Sequence, residues 1–320
     1  MNITILDGGV LNPGDVDWSP LARLGQLRVF ADTQGRDLAE RCAGQDVLLI
    51  NKTPIGRQEL EAIRDVRMVG VLATGYNNID VDALAEKNIP VCNVKAYGVE
   101  DVAQHAIALL LELCRQTSLH SASVKSGEWN RLDTWCYWKK TPVCLAGKTM
   151  GIVGYGAIGQ AVARIAHALG MSVLAASRSP KPAPDFQPFA FAAPAEIWAE
   201  SDVISLHCPL TPETKHIVNA YTIAAMRQGA ILLNTARGPL VDEQAAAQAL
   251  HSGQLGGLGT DVLAVEPPER DNPLLSAPNT LITPHIAWAT ARARQRIIDL
   301  MAENISNWLK GQPCNAVNGV

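Results

Sequence analysis

The residues able to do chemistry gather in the second half of the chain: Arg237, the carboxylates Asp261 and Glu266, and His285. Each lies at or just beyond the end of a short apolar run that reads as a strand, at 230–234, 256–262 and 280–282. In an open parallel sheet, ligands bind outside the carboxyl ends of the strands, so these residues would meet a substrate. A guanidinium, a carboxylate pair and an imidazole on one edge suit reduction of a 2-keto acid. That reaction needs a cation to hold the carboxylate and polarise the ketone, a proton donor for the forming alkoxide, and a source of hydride. Arg237 suits the first task because its planar fork grips a carboxylate with two parallel hydrogen bonds. His285 suits the second, since a charged imidazole donates at neutral pH, and Glu266 would orient the ring and favour its protonated form. Singly, Arg237 reads as well as a surface ion pair, and His285 as a satisfied buried histidine. Their place on successive strand ends favours the catalytic reading.

The hydride source is written in residues 145–180. An apolar run, Thr149-Met-Gly-Ile-Val153, leads into Gly154-Tyr-Gly156-Ala-Ile158-Gly159; a helical stretch follows to Gly170 and a second strand to Ser177. Gly154 permits the tight turn, Gly156 lets backbone approach phosphate, and Gly159 lets the helix pack on the strand. A pyrophosphate then sits on the helix N-terminus, where open N–H groups and the dipole favour an anion. Small residues at this spacing also mark plain turns, but the strand before and the helix after favour a dinucleotide. After the second strand stand Ser177, Arg178 and Ser179, and no acid occurs between Gly159 and Asp185. NAD sites place Asp or Glu there for the ribose 2′-OH, whereas a cation with flanking hydroxyls suits a 2′-phosphate. NADP(H) is therefore favoured over NAD(H). Ile158 in the glycine turn, Pro209 in His207-Cys-Pro209, and Thr235 and Ala236 before Arg237 complete the expected cofactor lining.

These motifs need a scaffold of parallel strands covered by helices. Strand patterns at 3–7, 27–31, 46–50, 67–72 and 89–94 alternate with helical ones at 56–65 and 80–88, and a further strand is expected at 202–208. A helix over 98–118 carries the chain from one domain to the next, Asp242 caps a helix to His251, and a last helix over 289–309 returns to the first domain. Residues 180–194 read as a loop. With 320 residues, two domains are expected: 1–98 with 287–320 for substrate, and 99–286 for the dinucleotide. A net charge of -4 leaves no basic footprint for nucleic acid, and no apolar run reaches the length of a membrane span. The first residues read as a strand rather than a signal peptide. Seven cysteines without a paired spacing argue against disulfides and zinc, so reduced, mostly buried thiols and a cytoplasmic location are expected, with no metal. Residues 127–138 carry three tryptophans and a tyrosine, a density that suits a subunit interface more than a lid or a core cover.

Together, Leu72-Ala-Thr74-Gly75-Tyr-Asn-Asn-Ile-Asp80, the glycine turn, His207-Cys-Pro-Leu-Thr211, Asn234-Thr-Ala-Arg-Gly238, Asp261 to Glu266-Pro-Pro268 and Pro284-His285 resemble the D-isomer-specific 2-hydroxyacid dehydrogenases. The match covers almost the whole chain. Leu6-Asp-Gly8, Leu11-Asn-Pro-Gly-Asp15 and Asn51-Lys-Thr-Pro54 are similar to its D-glycerate dehydrogenase (hydroxypyruvate reductase) branch. The resemblance implies an α/β protein with a Rossmann dinucleotide-binding domain inserted in a flavodoxin-like substrate domain, both with parallel sheets. It implies Arg237, Glu266 and His285 as the catalytic trio, the amides of Thr74 and Gly75 as carboxylate contacts, and Asp261 as partner of the nicotinamide amide. It also implies a homodimer, with the aromatic stretch on the subunit arm, and hydroxypyruvate or glyoxylate as the small 2-keto acid. Ala287-Trp288 departs from the Gly-Gly or Ser-Gly common after the family's histidine, which sets the pocket wall apart. Glu266 argues against formate dehydrogenase chemistry, where glutamine stands. The superfamily's corepressors sense dinucleotides on the same fold; a basic patch or disordered tail would favour them, and neither is present. A phosphoglycerate-type enzyme is the nearer alternative, although with Val320 as the last residue an added regulatory domain is not expected.

Overall fold

The computed structural model describes residues 1–320 as two units, Met1–Gly98 with Trp288–Val320, and Val99–Ala287. The second boundary falls one residue later than the sequence suggests.

The first unit holds five parallel strands, β1 (Asn2–Ile5), β2 (Gln26–Val29), β3 (Val47–Ile50), β4 (Met68–Val71) and β5 (Val91–Cys92), in the order β2-β1-β3-β4-β5. The four residues of β3 are fully buried and serve both faces: Val47 and Leu49 join one cluster with Ile297, Met301 and Ile305, while Leu48 and Ile50 join another with Ile63 and Leu84. Such period-two burial on both sides is what a parallel sheet sandwiched by helices requires. Its helices are α1 (Ser19–Ala22), α2 (Leu38–Cys42), α3 (Val81–Ala85) and the C-terminal helix Ala291–Leu309, capped by Thr290 Oγ1 accepting from Ala293 N at 3.1 Å. The helix expected over 56–65 forms turns instead. Glu59 Oε2 accepts the Gly56 amide at 2.8 Å, and Ile55 is tied to Asn78 and Asp80 through its backbone, so local side-chain bonding displaces the helical ladder there.

The second unit begins with α4 (Val99–Arg115), which ends where Gln116 adopts a left-handed φ of 50°; α5 (Thr117–Lys125) follows. One helix over 98–118 was the expectation, and this residue divides it. Seven parallel strands come next: β6 (Thr149–Val153), β7 (Ser172–Ala176), β8 (Phe189–Phe191), β9 (Val203–Leu206), β10 (Ala230–Asn234), β11 (Leu255–Thr260) and β12 (Thr280–Ile282). Their order is β12-β11-β10-β9-β6-β7-β8. The remaining helices are α6 (Ala157–Ala168), α7 (Pro194–Glu200), α8 (Ala220–Ala224) and α9 (Glu243–Ser252). Strand β8 lies within the stretch read as a loop; it is a short edge strand, where proline is tolerated, and Phe189 and Phe191 pack on Tyr155 with ring centroids 5.2 and 5.4 Å away. β6 pairs with β7 on one side and β9 on the other, so the strand order reverses between β6 and β9. That reversal is the point at which doubly wound sheets open a ligand crevice.

All seven cysteines are free, but only Cys42, Cys92 and Cys114 are buried, so the expected burial of most of them is not seen. No helix is long and apolar enough to cross a membrane. In residues 127–139, Tyr137 Oη lies 2.8 Å from Ser123 Oγ and Lys139 Nζ 2.5 Å from Glu128. These ties leave Trp135 86% and Trp138 61% exposed.

Candidate active site

The glycine turn is built as its spacing requires. Gly154 follows β6 with φ 102°, and a Cβ there would lie 2.6 Å from the backbone of His207 and Cys208, at the end of β9. A Cβ on Gly159 would lie 2.3 Å from the Gly154 oxygen, so only glycine lets α6 start this close to the strand. Gly156 is the N-cap of α6, has open space around its missing Cβ, and brings no side-chain cap to the helix. Uncapped first-turn amides beside open space are what a dinucleotide pyrophosphate fits.

At the far end of this crevice Ser177, Arg178 and Ser179 are exposed, and Ser177 Oγ donates to the Ser179 oxygen at 2.8 Å. The fold adds a carboxylate that the local sequence does not: Glu213, in the loop after β9. A hydrogen bond from Thr211 holds it below its ordinary range, and the Arg178 charge contributes. Arg178 therefore has an acidic neighbour drawn from another strand end. Pro209, in the same loop, has its oxygen bonded by Thr214 Oγ1 at 2.7 Å. His207 begins this loop with its Nε2 2.8 Å from Ser205 Oγ, and burial pushes the imidazole down to about 4, so it is neutral near pH 7.

On β10 the buried side chain of Asn234 shapes the next turn, accepting from Ala236 N at 3.1 Å and donating to the Arg237 oxygen at 2.9 Å. Between them Thr235 keeps a buried hydroxyl with no partner in the chain, as a cofactor-lining group would. Arg237 is half-buried, its Nη1 2.6 Å from the Ala236 oxygen. Gly238 brings this turn against the loop after β11, for a Cβ there would meet the Leu263 carbonyl at 2.0 Å. That loop carries Glu266. Glu243 on α9 braces it, accepting from Ala264 N and from Asn272 Nδ2, both at 2.8 Å.

Glu266 Oε1 accepts the Leu263 amide at 3.0 Å, and Oε2 lies 2.6 Å from His285 Nδ1. A carboxylate at Nδ1 fixes the proton on that nitrogen, leaving Nε2 to gain or lose one. His285 itself has φ 57°, a left-handed conformation rare outside glycine. Asp261 holds it there: its oxygen accepts the His285 amide at 2.9 Å, Oδ1 accepts Thr283 Oγ1 at 2.6 Å and Ile286 N at 2.9 Å, and Oδ2 accepts Ala287 N at 2.8 Å. The carboxylate expected beside the nicotinamide amide is thus 2% exposed and engaged within the chain.

In the first unit, Thr74 and Gly75 follow β4. Thr74 Oγ1 donates to the Val94 oxygen at 2.9 Å, and Asn93 Nδ2 donates to the Thr74 oxygen at 2.7 Å, while the amides of both residues have no acceptor in the chain. Two stretches noted in the sequence meet here, since Asp7 accepts the amides of Asn51, Lys52 and Thr53 at 2.7, 2.6 and 2.7 Å.

Residues 107–287 match the family model described as D-isomer specific 2-hydroxyacid dehydrogenase, NAD binding domain. The chain belongs to the D-isomer-specific 2-hydroxyacid dehydrogenases. It is 47% identical to a hydroxypyruvate reductase of Blautia hydrogenotrophica over 99% of this chain and 100% of that one. A glycerate dehydrogenase of Methylorubrum extorquens is 39% identical over 88% of each. Among solved structures, the apo D-lactate dehydrogenase of Escherichia coli superposes with a TM-score of 0.86 at 32% identity, covering 99% of each chain. Like its family, this dehydrogenase is an enzyme that uses a nicotinamide dinucleotide to reduce 2-keto acids. Asn234, Glu213, Glu243 and Thr283 shape the candidate site and were not singled out from the sequence. Asn234 gave a signal, as the polar residue at the buried end of an apolar strand.

Proposed function

We propose that this dehydrogenase reduces hydroxypyruvate or glyoxylate to the D-2-hydroxy acid. The observation that carries the reading is the 2.6 Å Glu266–His285 pair, on the sheet edge where the turn after β10 carries Arg237. Arg237 grips the substrate carboxylate and polarises the ketone. The open amides of Thr74 and Gly75 are further carboxylate contacts. The dinucleotide, when bound, supplies the hydride. His285, protonated on both nitrogens, gives its Nε2 proton to the alkoxide as the C–H bond forms, and the neutral ring is then reprotonated from solvent. In the reverse direction neutral Nε2 takes the hydroxyl proton. Glu266 faces the imidazolium and stabilises it. Gly154, Gly156, Ile158 and Gly159 would hold the dinucleotide pyrophosphate, and Pro209, Thr235, Ala236 and Asp261 would line the rest of the cofactor site.

NADP(H) is the preferred cofactor, on the strength of Arg178 and its flanking serines, although Glu213 offsets part of that charge. The exposed Trp129, Trp135 and Trp138 support a homodimer. Initial rates with hydroxypyruvate, glyoxylate, pyruvate and phenylpyruvate, each with NADPH and NADH, test the reading. Hydroxypyruvate or glyoxylate should give the highest kcat/KM. A higher value for pyruvate or phenylpyruvate would refute the substrate assignment.

A further inference from the structure

The left-handed turn that carries His285 is held from outside the loop, and the holding begins on α4. Along this helix His105, Leu109 and Leu113 fall four residues apart, on one face. On β11 and just beyond it, Gly257, Gly259 and Asp261 fall two apart, also on one face. Four residues of helix rise about 6 Å and two of strand about 6.6 Å, so the two rows stay in step when helix and strand run opposite ways. They do so here: a Cβ on Gly257 would meet Leu113 Cδ2 at 3.3 Å, and one on Gly259 would meet Leu109 Cβ at 3.0 Å. The next step of the ladder sets His105 against Asp261, with Nε2 3.5 Å from Oδ1. Glycines on the strand thus let the helix lie close enough for its histidine to reach the carboxylate.

His105 Nε2 is also 2.9 Å from Thr283 Oγ1, whose single proton goes to Asp261 Oδ1 at 2.6 Å. Towards His105 that hydroxyl can only accept, so Nε2 carries the hydrogen. A chain of donors then runs from His105 to Thr283 to Asp261. The same Asp261 carboxylate accepts the amides of Ile286 and Ala287, the two residues after the catalytic histidine. We infer that His105 is a positioning residue: through Thr283 and Asp261 it fixes the turn in which His285 meets Glu266. The inference rests on the acid–base role proposed for His285.

The experiment follows hydroxypyruvate reduction with NADPH in His105→Leu, His105→Gln, Thr283→Val and Thr283→Ser, and in the double variant His105→Leu/Thr283→Val. Loosening the turn by a fraction of an ångström should lower kcat on the order of tenfold, with the KM for hydroxypyruvate changed far less. Gln keeps an N–H donor and Ser keeps the hydroxyl, so both should restore most of kcat, and the double variant should be no slower than the slower single one. Wild-type kcat in both His105→Leu and Thr283→Val would overturn the inference, as would a loss that neither Gln nor Ser rescues. If His105→Leu does not fold, the Val and Ser pair at Thr283 decides alone. His285→Ala separates the two readings. Full activity there would refute the acid–base role itself, whereas its loss alongside an active His105→Leu would refute only the positioning role.

Discussion

Acidification should loosen the joint between β6 and β9 through His207. Burial pushes this imidazole down to about 4, against an ordinary value near 6.5, and its Nε2 is 2.8 Å from Ser205 Oγ. The folded state therefore binds the proton less readily than the unfolded chain. Stability from this group is fully present above the unfolded value and is lost as pH falls through 6.5 towards 4. Between pH 7.5 and 4.5 the linkage relation makes that loss about 2.5 kcal/mol. Because the residue is only half-buried, solvent takes up part of the penalty, and this figure is an upper bound. Asp202 also weakens on acidification: it is half-buried, but the Thr149 amide, Lys148 and Arg227 outweigh the effect of burial and hold it below the carboxylate range.

The comparison that isolates His207 is wild type against His207→Gln, which keeps a polar partner for Ser205 and cannot take up a proton. Contributions from Asp202 and other shared groups cancel in the difference. Urea or thermal unfolding at pH 7.5 and 4.5 should show wild type losing up to about 2.5 kcal/mol more than the variant. In Tm this is about 5–10 °C for a unit of this size. Equal losses in the two proteins would refute the argument.

Four further outcomes are expected. Glu266→Gln keeps a group at Nδ1 of His285 but removes the charge facing the imidazolium. The kcat/KM for reduction at pH 8 should fall about tenfold, with oxidation at the same pH falling by the same factor, and an unchanged value would contradict the pairing. Arg237→Ala should lower kcat/KM for the 2-keto acid on the order of a hundredfold or more, read from initial rates; an unchanged value removes it from the mechanism. For cofactor choice, the ratio of kcat/KM for NADPH over NADH should fall in Arg178→Ala and rise in Glu213→Gln; a wild-type preference for NADH, or ratios that do not move, would refute the assignment. Trp135→Glu should shift the protein towards monomer in sedimentation velocity, whereas an unchanged distribution would clear the aromatic stretch of an interface role.

What could be read from the sequence were the parts encoded locally. The glycine turn was legible because each glycine answers a steric demand made within a few residues, and Glu266 and His285 because strand ends of a parallel sheet converge whatever the loops do. The misses share a different cause. The 56–65 stretch has a helical pattern, but Glu59 bonding the Gly56 amide decides the backbone there, a competition that hydrophobic spacing does not register. Phe189 and Phe191 form a strand because Tyr155, more than thirty residues earlier, offers them a packing surface. Glu213 reaches the surroundings of Arg178 only because β6 and β9 adjoin, although β7 and β8 separate them in sequence. His105 is the extreme case, lying 156 residues before Asp261 (261 minus 105) on a helix whose pattern reads as plain core packing. Its partner is set by the match in step between a helix row and a strand row, and that match depends on Gly257 and Gly259 having no side chains. The sequence does hold this signal, as alternate glycines leading to an aspartate on a strand. It becomes informative once a helix is known to lie on that face. The reacting side chains therefore follow from strand order, while the residues that hold them still follow from packing.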